Sequence, residues 1–400
     1  MQRILVISPS GEVYDHDNVR WYNYKDTQRS INHYHNIGDA FVFDSSLKLL
    51  NYDKLDALEI AKPNLADIDR INAEYDYVFL RGSNYIHKDM NWENAVEVLK
   101  RLKIPVIAWG IGAQAPVKGK LELSEQSKTM LRLMADSTTS IGVRGAYSAQ
   151  ILWDLGIKNV RIVGCPTAFR RNKPDLEIKL RPLDQIRTAG ITLRREVSGT
   201  YARNIEQYLT FHRDMVKEMA TRFDVVLMAQ GEVEEKKIVF GTPEQREEGI
   251  AELKANGWVS KWYLDETMEK LHRERLFYSD VVADYEDLVQ QKDLVLGYRL
   301  HGNLMALANG TPSVYFTYDS RTVEFAETYQ IPSFDVFSGK TFSLEEYWDQ
   351  SLFDKFNRAY RFMYREMRQF LVENGADTKM VDVMKKPTRA ADKTVAIKAA

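Results

Sequence analysis

The junction at Leu294-Val-Leu-Gly-Tyr-Arg-Leu-His-Gly302 constrains this chain more than any other stretch. Residues 294–298 have the length and apolar character of a short buried strand, residues 302–308 those of a helix, and no loop separates them. Asn309-Gly-Thr-Pro312 supplies the stop, with glycine at C′ and proline just beyond. A strand running straight into a helix is the repeat of an open α/β sheet, where ligands bind outside the carboxyl ends of the strands. Arg299 and His301 fall at that point. Unpaired amide N–H groups and the positive end of the helix dipole favour an anion there, and a guanidinium and an imidazole add donors for it. The junction therefore reads as a phosphate or carboxylate site. A structural reading stands beside it, in which Arg299 pairs with a fixed carboxylate and His301 caps the helix.

The same alternation recurs along the chain. Strands are predicted at 3–8, 77–80, 104–109, 140–144 and 160–163, with helices at 94–102, 124–136 and 146–155 between them, which means a parallel, doubly wound sheet. Asn36-Ile-Gly-Asp39 opens a further helix, and Asp39 is either an ordinary first-turn carboxylate or a base facing a cleft. The turns Arg81-Gly-Ser-Asn84 and Gly110-Ile-Gly-Ala-Gln114 are able to bring backbone close to a ligand. The second lacks the third glycine and the acidic residue of a dinucleotide fingerprint, so NAD is not implied. Charges and prolines over 170–188 mark a linker. Beyond it, strands at 189–194, 224–229 and 313–318, a helix at 203–222 and the opening junction make a second sheet, whose last strand ends in Asp319 and Arg321. Residues 231–257, dense in both charges, read as a surface insertion, and 353–370 as an aromatic-rich helix. The predicted fold is α/β: two Rossmann-like doubly wound domains facing a cleft, the glycosyltransferase type B architecture. The domains run 1–180 and 186–345, with a terminal helix over 346–376 packing back on the first and a basic, unstructured tail at 384–400.

With 400 residues the chain is long enough for two cores. Its net charge of -2 gives no global attraction to nucleic acid or to an acidic membrane, so an anion site must be local. The single cysteine, Cys165, excludes an internal disulfide and a thiolate metal cluster. No metal is expected, since no cluster shows ligand spacing, and His33 and His35 read as solvated. The apolar run at 4–7 is too short for a signal peptide and nothing reaches the length of a membrane span, so the expectation is a cytoplasmic protein. Trp21, Tyr22, Tyr34, Tyr85 and Trp92 are candidates to stack on a sugar, or simply pack locally.

Taken in order, several of these residues resemble the polysaccharide pyruvyl transferase family. They are Asn36-Ile-Gly-Asp39, Gly110 and Gly112, Val143-Arg144 with Ser148, the Leu155-Gly156 turn, Val163-Gly164 with Pro166, Arg194, Arg299-Leu-His301 with Gly310-Thr-Pro312, and Tyr318-Asp319. Arg81-Gly-Ser-Asn84 stands where many members carry glycines, and Arg321 where many carry lysine. The resemblance implies transfer of pyruvate from phosphoenolpyruvate to two hydroxyls of a sugar in a cell-surface or exported polysaccharide precursor. A ketal forms, phosphate leaves, and no cofactor takes part beyond that co-substrate. It assigns the acceptor to the first domain and the donor to the second, with Arg194, Arg299, Leu300, His301, Gly302, Asn303 and Arg321 as donor-binding residues. Asn36, Gly38, Asn84, Gly110, Gly112, Gln114 and Arg144 are then acceptor or cleft residues. For catalysis it suggests His301, as imidazolium, giving the methylene proton or contacting the leaving phosphate; Arg299 on the donor's anionic ends; and Asp39 as base on the attacking hydroxyl, brought across by cleft closure. A lipid-linked acceptor would place the enzyme at the inner membrane face by peripheral association; no nucleic-acid partner is implied. Two alternatives remain: a nucleotide-sugar-dependent glycosyltransferase of the same fold, although a second glutamate eight residues beyond Glu324 or Glu327 is missing, and a non-catalytic carbohydrate- or anion-binding protein.

Overall fold

The computed structural model describes residues 2–8, 31–32, 36–59, 64–88, 92–194 and 202–383, with the backbone of 13–14 and 19–20. His33, His35, Trp21, Tyr22, Tyr34 and the tail from 384 lie outside the described residues. Two parallel sheets organise the chain. In the first, the order is β2 (Tyr52–Glu59), β1 (Gln2–Ser8), β3 (Tyr77–Leu80), β4 (Val106–Ala108). A parallel pair, β5 (Ile141–Val143) and β6 (Val160–Ile162), joins this sheet through a bridge from Ile111 to Val143. Strand β2 has no counterpart in the sequence reading. It is an edge strand, partly exposed along its length and interrupted by Asp53, Lys54 and Asp56, so no apolar run announces it.

The second sheet comprises β7 (Thr188–Thr192), β8 (Asp224–Met228), β9 (Leu276–Phe277), β10 (Leu294–Gly297), β11 (Ser313–Thr317) and β12 (Ser333–Asp335). Their spatial order is β9-β8-β7-β10-β11-β12, all parallel. Within the sheet that is the Rossmann order 3-2-1-4-5-6, whose direction of winding reverses between β7 and β10. Gly297 ends β10 with φ +138°, and a Cβ there would sit 2.5 Å from the Thr192 carbonyl oxygen, so the two strands close up only over glycine.

Residues 231–257 are not a surface insertion. They form helices, with α4 (Val233–Phe240) packed on α5 (Pro243–Ala255), and they bury Glu232, Glu235, Lys236 and Lys237. High charge density hid them, although part of that charge pairs within the fold: Lys237 bonds Glu248 at 2.9 Å and Glu252 at 2.6 Å. The remaining helices used below are α1 (Ile37–Leu49), α2 (Ala146–Asp154), α3 (Ile205–Arg222), α6 (Val282–Gln290), α7 (Leu300–Ala308), α8 (Ser320–Tyr329) and α9 (Gln350–Glu373). Helix α9 returns to the first lobe, where Arg161 bonds Glu366 at 2.7 Å and Glu373 at 2.6 Å. Its Tyr360 and Tyr364 hydroxyls donate to the Lys173 carbonyl and the Asn172 side chain.

One hydrophobic cluster runs through both lobes, joining α1, α7 and α9. Beside it lies a buried ion network. Arg170 places both arms of its fork on Glu286 of α6, at 2.9 and 2.6 Å, and also reaches Asp44 at 2.8 Å and Ser45 at 2.9 Å on α1. Burial alone would push the Glu286 carboxyl up; the Arg170 fork, with Lys48, more than reverses this and holds it at about 2. Removing one partner of such a pair strands the other charge, so Glu286→Gln is expected to cost about 3–5 kcal/mol near neutral pH. A depressed carboxyl gives stability that is full above its unfolded pKa and lost as pH falls through its folded one. The gap between wild type and Glu286→Gln in urea unfolding should therefore be constant from neutral pH down to about 4.5 and close as pH approaches about 2.

Candidate active site

Strand β10 delivers Arg299 to the N-cap position of α7 at the point where the second sheet reverses, but the side chain does not turn outward. Its N–H donates to Thr192 Oγ1 at 3.2 Å, its Nε to the Leu193 carbonyl at 2.8 Å, and its Nη2 to Glu232. The structural reading of Arg299 is the one observed: a buried fork committed to a fixed carboxylate, not one open to a donor. The neighbouring candidates also face inward. Asn303 donates to the Gly297 carbonyl at 2.8 Å and accepts from Thr192 at 3.2 Å, Leu300 packs in the core, and a Cβ on Gly302 would stand 2.6 Å from Gln230. Arg194 is buried beside Tyr208 of α3, whose hydroxyl donates to the Arg194 carbonyl at 2.7 Å.

His301 is the junction residue that reaches the other lobe. It is half-buried, and a Cβ on Gly38 of α1 would lie 3.4 Å from its Nδ1 and 3.0 Å from Gln230 Oε1. Ile37 donates its N–H to the Gln230 carbonyl at 3.0 Å. The lobes thus already touch where His301 and the start of α1 meet, and the closure expected to bring Asp39 across is not required. Asn36 caps α1, and Asp39 pairs with Arg81 at 3.3 Å.

Helix α8 completes the wall. Asp319 caps it, and Arg321 donates to the Tyr318 hydroxyl at 2.9 Å with Asp319 at 3.1 Å. One turn on, the Phe325 ring takes both His301, at 6.1 Å between ring centroids, and Arg144 of the first lobe, at 5.3 Å. The helix is fastened to that lobe. Ser320 exchanges hydrogen bonds with Ala115, and buried Glu324 accepts from the Ser148 N–H at 2.6 Å and hydroxyl at 2.8 Å at the start of α2. Burial pushes the Glu324 carboxyl up against the pull of those Ser148 donors.

Arg144 is 2% exposed, and among the described residues no carboxylate lies within ion-pair distance of it. It donates to Asn84, which Gln114 holds at 2.5 Å, and it passes so close to Gly112 that a Cβ there would be 2.6 Å from its Cδ. Gly110, with φ +70°, shapes the same turn. His301 responds to this setting. Burial first, then Arg144, Arg321 and Arg81, hold its pKa well below the ordinary range and disfavour the imidazolium. Among the described residues Arg144 Nε, His301 Nε2, Gln230 Nε2 and Glu232 Oε2 are buried without a hydrogen-bond partner, each at a cost of about 1–3 kcal/mol. Such a concentration marks a place for a ligand.

Sequence reading missed Arg81, Gln230, Glu232 and Phe325. Arg81 and Gln230 follow strands and obey the positional rule that singled out Arg299; Glu232 and Phe325 carry no such mark. Tyr85 and Trp92 pack edge to face at 5.1 Å and are buried, which removes them as sugar platforms. Among the described residues no group of three or more His, Cys, Asp or Glu side chains is placed to hold a metal ion.

A sequence model of the family described as Polysaccharide pyruvyl transferase matches residues 36–320. Among solved structures the chain is similar to Staphylococcus aureus MnaA in complex with UDP, at 13% identity and TM-score 0.40, over 90% of this chain and 91% of that one. It is similar also to Neisseria meningitidis UDP-GlcNAc 2-epimerase bound to UDP-GlcNAc (10%, TM-score 0.37, 93% and 95%) and to Escherichia coli ADP-heptose LPS heptosyltransferase II (12%, TM-score 0.38, 92% and 98%). No curated protein sequence matches the chain.

A buried guanidinium kept for an anion has an unusual signature. Arg144→Met should raise the unfolding free energy of the unliganded chain, by about 1–4 kcal/mol, and abolish its stabilisation by inorganic phosphate. Thermal unfolding with and without phosphate tests both; a purely structural Arg144 would give a drop in Tm instead.

Proposed function

The chain belongs to the polysaccharide pyruvyl transferase family, and on that premise we propose that it transfers pyruvate from phosphoenolpyruvate to two hydroxyls of one sugar in a polysaccharide precursor, forming a ketal and releasing phosphate. The observation that carries this reading is Arg144, a buried guanidinium without a carboxylate, leaning on the same ring as a histidine whose Nε2 has no partner among the described residues. A small, highly charged anion with a proton to receive fits that pair. Phosphoenolpyruvate, with a carboxylate and a phosphate on three carbons, is such an anion.

The donor is held between the lobes, by Arg144 and Arg81 from the first and Arg321 from the second, in place of the second-lobe set that the resemblance implied. Arg299 stands behind them, bonded to Glu232. Burial first, and then the surrounding guanidiniums, disfavour the protonated His301 ring. Donor charge offsets them, so the ring then binds a proton and delivers it to the methylene carbon, turning the central carbon into an oxocarbenium-like electrophile. Asp39, fixed by Arg81, takes the proton of the first attacking hydroxyl. Arg144 and Arg321 stabilise the charge that gathers on departing phosphate.

The acceptor is a saccharide; among the described residues no helix is long and apolar enough to cross a membrane.

Phosphoenolpyruvate at a hundred times its Kd should stabilise the chain by about 2.7 kcal/mol, and UDP should not. The reverse outcome in a thermal-shift experiment would move the assignment to a nucleotide-sugar glycosyltransferase. His301→Ala should cut phosphate release about 10²- to 10⁴-fold with the fold intact; unchanged turnover would remove His301 from the chemistry.

A further inference from the structure

Ketal formation sets a proton count. Two hydroxyls each lose one proton, the methylene carbon gains one, and phosphate departs with the other. Two deprotonations at one sugar ask for two acceptors, and Asp39 supplies one of them. Resting on the pyruvyl-transfer reading, we infer that Glu232 is the second catalytic base, acting on the hydroxyl that displaces phosphate.

The contrast between two buried Arg–Glu pairs motivates this. In the structural pair, Glu286 has both oxygens bonded by Arg170, and nothing is left over. Glu232 is equally sealed, at 3% exposure, yet only Oε1 meets Arg299; Oε2 has no hydrogen-bond partner among the described residues. A buried carboxylate oxygen with neither a hydrogen bond nor an ion pair carries its full desolvation cost, and Glu232 Oε2, unlike the Glu286 oxygens, is in that position. Its position is the second argument. Glu232 stands on the turn from β8 to α4, two residues after Gln230, whose side chain lies against both Gly38 of α1 and Gly302 of α7, beside His301. Arg299, which grips Glu232, is two residues before His301 on the turn from β10 to α7. These turns flank β7 on either side, so Glu232 and His301 stand at the same strand-end edge of the sheet.

The arrangement is also symmetrical in chemistry. Asp39 on the first lobe and Glu232 on the second are each fastened to one arginine, Arg81 and Arg299. In the first step the methylene carbon gains a proton and one sugar oxygen bonds the central carbon, giving an adduct that retains phosphate. In the second, the bond from that carbon to the phosphate oxygen breaks and its electron pair leaves with phosphate. The second sugar oxygen bonds the carbon, and its proton passes to Glu232 Oε2 and then to phosphate.

Glu232→Gln tests the assignment, with phosphoenolpyruvate as donor and methyl hexopyranosides bearing a free 4,6-diol as acceptors. The expected result is unchanged stabilisation by phosphoenolpyruvate, ketal formation reduced on the order of 100-fold, and a phosphate-retaining adduct visible by mass spectrometry. Glu232→Asp, which keeps the charge, should recover part of the rate. Ketal formation by Glu232→Gln at the wild-type rate overturns the proposal. So does loss of phosphoenolpyruvate stabilisation in step with turnover, which would make Glu232 only a prop for the donor site. A wild-type chain that phosphoenolpyruvate does not stabilise fails at the earlier level, and takes the pyruvyl-transfer reading down with it.

Discussion

A guanidinium sealed from water with no carboxylate beside it is the constraint around which this crevice is built. Arg144 is held by a hydrogen bond to Asn84, by the face of Phe325 and by the hollow that Gly112 leaves, and none of these cancels its charge. Burial of an unpaired ion costs several kcal/mol, so a fold tolerates it only where other contacts over-determine the position. Here they do. The turn carrying Asn84 is tied to the turn carrying Gln114, and the ring under Arg144 belongs to a helix of the opposite lobe.

That helix, α8, explains why the crevice is formed before any ligand arrives. Its glutamate at 324 caps a helix of the first lobe, its serine at 320 exchanges hydrogen bonds with Ala115, and its Tyr329 hydroxyl accepts from the Cys165 N–H at 2.7 Å. Gly164 has φ +72° and would carry a Cβ into that same tyrosine, so the approach is as close as backbone permits. Together with the Arg170 network, these contacts join the lobes along one side, and His301 faces Gly38 without any hinge movement. Placing charged groups in advance is the more effective arrangement, because no reorganisation is then charged against the chemical step.

Much of this frame was legible in the sequence, and the reasons for the exceptions are physical. Strands β3 and β10 are buried on both faces and read clearly; β2 lies at an edge with every described residue at least partly exposed, so its composition resembles a loop. The strand-end rule found His301 and Arg144, because position in an α/β repeat determines which side chains meet the crevice. It did not sort them. Whether an arginine faces a ligand or a carboxylate depends on a partner far away in sequence, and Glu232 lies in a stretch whose charges suggested solvent. Nor did spacing show that Arg144 and Arg81 of the first lobe belong with His301 of the second, since that meeting exists only once α8 has docked. The family match over residues 36–320 agrees with the motif reading.

Pairing also decides the charge balance of the site. Arg81, Arg299 and Arg321 are each set against an acid, Asp39, Glu232 and Asp319, so their charges are largely balanced in place. Arg144 is not, and it leaves a local excess of positive charge next to His301. The ring answers by staying neutral, with burial the larger cause and the arginines the rest. A neutral imidazole amid cations is a poor acid, and it becomes a good one only when negative charge arrives to favour its protonated form.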